Sequence, residues 1–354
     1  MIETTTDLSA HLTRSSNGNP APVCALDTEA DSLHRYRESL CLIQYADRDS
    51  CVLMDPLAIE DLSPLGDFLA RSTVWMHGAD YDMTMIKRQF GILPPMVFDT
   101  QIGARLLGER RFGLGDLVLR YFDVELSKSS QKADWGKRPL SPRMVDYALN
   151  DVRYLLEMGD IIVAALREKG RYEWFEESCV VARDKVRNRD ESRDEETWRV
   201  RGSGNLDRRG LGCLRALWQW RDGEAKSWDR PSFMVATNKQ LLEWSVGYSA
   251  GRKIEVPRHY RTERVKRFRK AMAEFEALAD SEWPERVQIK RRKRDKDFES
   301  RVAAVLKQRD AIAGDLDIEP SLVAPRMTVE AIISSETTSA DSLMGWQRSL
   351  MSGL

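Results

Sequence analysis

The chain has 354 residues, enough for two or three domains and a sizeable core. It is 42% hydrophobic and 31% charged, the balance of a soluble globular protein, and its formal net charge is −1. That near-neutral total excludes a whole-molecule field drawing in nucleic acid, so any such preference must rest on local patches.

Five scattered cysteines (Cys24, Cys41, Cys51, Cys179, Cys213), none in C-x-x-C spacing, argue against a disulfide framework or a zinc site. The opening "MIETTTDLSAHL" has neither a basic nor an apolar leader region, and no run of 18 apolar residues occurs. A cytoplasmic protein with no membrane association and no obligate protein partner is expected.

In chain order, "PVCALDTE" (22–29), "SLCLIQYA" (39–46) and "SCVLMD" (50–55) read as strands. "SPLGDFLA" (63–70) opens with Ser-Pro, a helix start. "STVWMHG" (72–78) is a fourth strand, and "DMTMIKRQFG" (82–91) an amphipathic helix closed by Gly91. Strands followed by helix, strand and helix predict an α/β domain with a mixed sheet. Residues 141–170 then read as helical, with Ser141-Pro142 at the start and Gly170 at the end. The run 183–196 carries 11 charged residues in 14 and is taken as a domain boundary. Beyond it, 220–244 and 308–333 share punctuation, which points to two copies of a small helical module.

Within this frame carboxylates recur at element ends. Asp27 and Glu29 lie two apart, on one face of a strand. Asp80 and Asp82 stand where the fourth strand gives way to a helix; Tyr147 and Asp151 are at i and i+4, on one helical face. Each has an ordinary alternative: a solvated turn for Asp-x-Glu, a helix cap for Asp80 or Asp82, a core position for Tyr147. As a set, Asp27, Glu29, Asp82 and Asp151 can converge near strand ends and hold Mg2+ or Mn2+ through oxygen. Two such ions about 4 Å apart suit in-line displacement at phosphorus. A phenol titrates near pH 10, so Tyr147 is assigned to orienting the attacking water rather than acting as a base.

"LDTEAD", "HGADYD" and "YALNDVRYL", with "FDTQIGARLLG" and "KADWGKRPLSPRMVDYA", resemble the motifs of ribonuclease D and its relatives in the DEDD superfamily of 3′-5′ exonucleases. The resemblance spans roughly residues 20 to 175. It implies metal ligands Asp27, Glu29, Asp82 (not Asp80) and Asp151, with Tyr147 marking the tyrosine subclass. It also implies a ribonuclease H-like fold, a mixed five-stranded sheet flanked by helices. His77 is a structural or substrate-side residue. Lys128, Gln131, Lys132, Trp135 and Arg138 precede the catalytic helix and could approach the substrate.

Residues 209–245 resemble an HRDC domain, a helical module also found in RecQ-type helicases, and a weaker match begins near residue 298. In the family such modules help hold RNA. Residues 252–294 hold 15 Lys/Arg against 7 Asp/Glu, enough to neutralise several phosphates, though a solvated helix face or linker reads the same. Trp218, Trp220 and Trp228 could stack on bases but are better read as core.

The expected organisation is an exonuclease domain over 1–180, a charged linker over 181–196, an HRDC domain over 197–285 and a second HRDC-like helical domain over 286–354. The expected activity is a metal-dependent 3′-5′ exoribonuclease with two Mg2+ or Mn2+ ions. It would release 5′-mononucleotides from transfer RNA precursors or other structured RNA with 3′ extensions. The rivals are a single-stranded DNA 3′-5′ exonuclease and a non-catalytic RNA-binding adaptor.

Overall fold

Five strands build one mixed sheet: β1 (Val23–Ala30), β2 (Leu40–Ala46), β3 (Cys51–Met54), β4 (Thr73–Met76) and β5 (Met96–Asp99), in the order β3-β2-β1-β4-β5. β1 runs antiparallel to β2 and parallel to β4, so the strand carrying Asp27 and Glu29 is bonded on both sides. These coordinates form a computed structural model that describes every residue except 128, 191–195, 287–296, 336, 353 and 354.

The helices before and between the strands are α1 (Thr5–Ser16), α2 (Ser63–Leu69), α3 (Asp80–Phe90) and α4 (Thr100–Leu106). After the sheet come α5 (Leu114–Phe122), α6 (Pro142–Arg153), α7 (Leu155–Glu168) and α8 (Tyr172–Arg187). One core joins Leu8, Leu26, Ile43, Phe68, Val74 and Ile86; another joins Ala25, Trp75, Val152, Met158, Ile162 and Phe175. The split follows strand period: Leu26 and Ala25, adjacent on β1, serve opposite faces. β2 is buried at every position, as expected of a strand covered on both faces.

Gly103 lets α4 pack closely on α7, and Gly159 lets α7 pack closely on β4. A Cβ on Gly103 would stand 2.5 Å from Ile162 Cγ2, and one on Gly159 would stand 2.8 Å from the Trp75 ring. The stretch predicted as one helix over 141–170 is two. Ser141 caps α6 by accepting from the Met144 N–H, but Tyr154 (φ −100°, ψ −7°) leaves helical geometry and α7 restarts. The break lets α6 cover β1 to β3 while α7 packs against β4 and α4.

The chain divides into two compact units. Met1–Ala30, Leu40–Arg189 and Arg292–Leu354 form one; Asp31–Ser39 and Asp190–Arg291 form the other. The second contains α9 (Arg208–Trp228), α10 (Asn238–Ser249) and α11 (Thr262–Glu276) around Leu211, Leu217, Trp220, Leu241, Phe268 and Phe275. Asp207 and Thr237 cap α9 and α10 through the N–H groups of Gly210 and Gln240. Glu224, 3% exposed, is clamped by Arg264 (3.2 Å) and Arg267 (3.0 Å).

Helices Phe298–Asp315, Pro320–Val323, Arg326–Ile333 and Gly345–Leu350 group with the first unit, although the sequence suggested a separate module over 286–354. The cause is specific packing. Trp346 stacks on Trp174 with centroids 5.0 Å apart, and Glu177 accepts from the N–H groups of Gly345 and Trp346. Arg105 pairs with Glu319 at 2.7 Å. In the run predicted as a linker, α8 extends to Arg187 and residues 191–195 lie outside the described residues. None of the five cysteines is in a disulfide, and no helix among the described residues is long and apolar enough to cross a membrane.

Candidate active site

Asp27 and Glu29 leave β1 on the face covered by α6, which brings Asp151 from its second half. Asp27, Glu29 and Asp151, each half-buried, offer one oxygen apiece with all three atoms within 4.8 Å of one another. Tyr147, one turn earlier on α6, donates its hydroxyl to the Asp151 carboxylate. Asp82 stands outside this trio. It belongs to the first turn of α3, and its Oδ1 accepts from the Thr28 N–H (3.1 Å) and the Thr28 hydroxyl (2.5 Å). Thr28 points opposite to Asp27 and Glu29, so Asp82 approaches β1 from the other side of the pleat. Its charge still reaches the other three carboxylates.

The β4–α3 turn is fixed by Asp99 at the end of β5. Its Oδ1 accepts from Gly78 N–H and its Oδ2 from Ala79 N–H, both at 2.9 Å, and Oδ1 also caps α4 through Gln101 N–H at 2.8 Å. Gly78 has φ +68°, a left-handed conformation that suits glycine. Sequence reading gave Asp99 no role. Its signal was an aspartate at a strand end directly before a helix.

Burial and mutual repulsion push the four carboxyls up. Asp27 is held well above the usual carboxyl range, first by burial, then by Asp82, Asp151 and Glu29. Glu29 is pushed up to about 9 by burial, then by Asp151 and Asp82. Asp151 rises to about 7 and Asp82 to about 6, burial leading in both, opposed by the bonds from Tyr147 and Thr28 respectively. The Tyr147 phenol is also pushed up, first by burial and then by Asp151, so it stays protonated. Among the described residues no lysine or arginine is paired with any of the four carboxylates. Crowded carboxylates with no cationic partner fit a hard divalent cation, which would relieve the repulsion and take oxygen ligands.

The other predicted residues separate. Asp80 pairs with Arg189 at 2.7 Å, away from the trio. His77 follows β4, its Nδ1 2.9 Å from the Thr100 hydroxyl, and burial lowers its pKa, so the ring is neutral. Trp135 is 1% exposed, packed among Leu42, Leu53 and Ala148 with its ring 6.0 Å from that of Tyr147. Arg138 grips Asp55 with two nitrogens (2.5 and 2.7 Å) and also donates to the carbonyls of Cys41 and Trp135. Trp135 and Arg138, proposed from sequence to meet substrate, are thus a core residue and an internal ion pair. Gln131 and Lys132 are exposed, and Lys128 lies outside the described residues.

In the second unit, Trp220 is core and Trp218 partly so, but Trp228 is 48% exposed, with the Arg264 guanidinium 5.0 Å from its ring. Part of the basic run 261–270 is spent within α11 or against Glu224: Lys266 pairs with Glu263 and Lys270 with Glu274. The "KRRKR" stretch (290–294) lies outside the described residues.

Residues 1–167 match the family model described as a 3′-5′ exonuclease, and residues 210–246 match the HRDC domain model. The chain is 31% identical to the ribonuclease D of Sphingobium indicum, over 92% of this chain and 86% of that protein. It is 30% identical to the ribonuclease D of Zymomonas mobilis over the same shares. Its fold is similar to the crystal structure of Escherichia coli RNase D, with TM-score 0.74 and 24% identity across 99% of this chain and 96% of that one.

Proposed function

The chain belongs to the ribonuclease D family of 3′-5′ exoribonucleases, and from that premise we propose that Asp27, Glu29, Asp82 and Asp151 hold two divalent cations, Mg2+ or Mn2+, for hydrolysis of the 3′-terminal phosphodiester of RNA. When bound, such ions offset charge at the phosphate and make a water acidic enough to attack at neutral pH. The observation that carries this reading is the trio Asp27, Glu29 and Asp151, with ligand oxygens within 4.8 Å and no basic partner among the described residues.

The chain's own groups do the positioning. Asp27 and Glu29 share a strand and are both in register with β2, opposite Gln44 and Leu42, which fixes their spacing. Tyr147 keeps its proton and donates to Asp151, which leaves the phenol oxygen able to accept from the attacking water and aim it. Thr28 holds Oδ1 of Asp82, leaving the other oxygen of that carboxylate for the site. The products are 5′-mononucleotides, and the substrates are transfer RNA precursors or other structured RNAs with 3′ extensions. Gln131 and Lys132, exposed before α6, are predicted substrate contacts whose side chains are open to solvent.

A 3′-extended transfer RNA and a matched DNA oligonucleotide, each digested with Mg2+, Mn2+ or EDTA, test the reading. Stepwise release of 5′-mononucleotides from the RNA, abolished by EDTA, is expected. Undiminished release in EDTA would overturn the cation assignment, and a preference for DNA would overturn the substrate.

A further inference from the structure

Gln44 is the one amide side chain on β2, and it is 0% exposed. Neither its Nε2 nor its Oε1 has a hydrogen-bond partner among the described residues. Buried polar groups are nearly always paired, and an amide with both ends unpaired is costly to keep in a core. A methionine or leucine would fill the same space without that cost.

Its position in the sheet is specific. Gln44 is the direct cross-strand partner of Asp27 in the antiparallel β1–β2 pair. Directly opposed residues project from the same face, with Cβ atoms about 4.5–5.5 Å apart. Gln44 therefore shares a face with Asp27, beneath α6, which packs across β1, β2 and β3. Its next neighbour on β3 is Leu53, and Leu53 belongs to an apolar cluster with Trp135 and Ala148. Asp27 is the nearest hydrogen-bonding side chain that the sheet register supplies.

We propose that Gln44 is a positioning residue for Asp27: its Nε2–H reaches the Asp27 carboxylate across one internal water and fixes which oxygen faces the cation. The inference rests on the cation-binding reading above and adds a residue outside the carboxylate set and Tyr147. A ligating carboxylate needs such a partner, because an unanchored one rotates and offers either oxygen. Burying the donor under α6 keeps bulk water from competing for the bond.

The test is Mn2+ binding by calorimetry to wild type, Gln44→Met and Asp27→Asn, with melting temperatures measured in EDTA. Wild type binding and a sharp loss in Asp27→Asn would establish the cation site itself; a wild type that binds no Mn2+ would sink that reading instead. For Gln44→Met, Mn2+ affinity about tenfold weaker is expected, with a melting temperature in EDTA equal to wild type or higher. Activity lost at low Mn2+ should return at saturating Mn2+. A second readout does not depend on the variant folding: in wild type, Mg2+ should shift the Gln44 side-chain amide resonance. Wild-type affinity in Gln44→Met, or an amide signal that Mg2+ leaves unmoved, would overturn the proposal.

Discussion

Thr28 gives both of its donors, the backbone N–H at 3.1 Å and the hydroxyl at 2.5 Å, to the same oxygen of Asp82. A strand residue between two acidic neighbours thereby sets the orientation of a third carboxylate from a different element. Thr28→Val keeps the shape and the β-branch but removes the hydroxyl. Its cation affinity and kcat/KM should fall about tenfold, with the melting temperature within a few degrees of wild type. Titration with Mn2+ and steady-state kinetics on an RNA oligonucleotide would show whether the hydroxyl matters.

Asp151→Asn removes one charge from the trio while keeping its size. Turnover should drop below detection. The melting temperature in EDTA should rise, because a repelling carboxylate has gone and the remaining carboxyls lose an unfavourable neighbour. Full activity in this variant would refute the assignment of Asp151.

The raised carboxyls make metal-free stability depend on pH in a definite direction. Each binds its proton more tightly folded than unfolded, so the contribution is complete below the ordinary carboxyl range. It is lost as pH climbs through about 6 for Asp82, 7 for Asp151 and 9 for Glu29. Carboxyls held low by partners, such as Asp55 and Glu224, act oppositely but finish titrating below this window. In EDTA the melting temperature should therefore fall from pH 5 to pH 9, and the gain on adding Mg2+ should widen over the same interval. A flat profile would contradict the electrostatics described for the site.

Tyr147→Phe should lower kcat by about a hundredfold with little change in KM, if the hydroxyl orients water rather than binding RNA. Because the phenol is held above its usual range, the defect should be the same from pH 7 to pH 9.5. A rate loss confined to alkaline pH would instead mark the tyrosine as an ionising base.

Arg138 faces Asp55, whose side chain is 3% exposed. Arg138→Ala strands that carboxylate and should cost about 3 kcal/mol of stability. At a temperature where the variant remains folded, its KM for RNA should match wild type. A stable variant with a raised KM would restore the arginine to the substrate side.

Much of the site follows from spacing alone. Asp27 and Glu29 share a strand face, and Tyr147 and Asp151 share a helix face, because those periods are local properties of the chain. What is not local was not legible. The bonds from Thr28 to Asp82 and from Asp99 to the turn at Gly78 join residues set by sheet register and helix approach. Trp135 and Arg138 were misplaced because an aromatic beside basic residues reads alike whether it meets RNA or packs inside. The break at Tyr154 carries no proline or glycine to announce it. The grouping of residues 292–354 depends on Trp346 finding Trp174, which no short-range pattern encodes.

The last of the four proposed ligands comes from α6, long after β1 in the order of synthesis. A growing polypeptide thus exposes Asp27, Glu29 and Asp82 well before Asp151 and Tyr147 have been added. While it is still attached to the ribosome, among messenger and transfer RNA, the half-made enzyme has nothing to complete its cutting centre. On the proposed ligand set, the centre stays incomplete until α6 has been made and has docked.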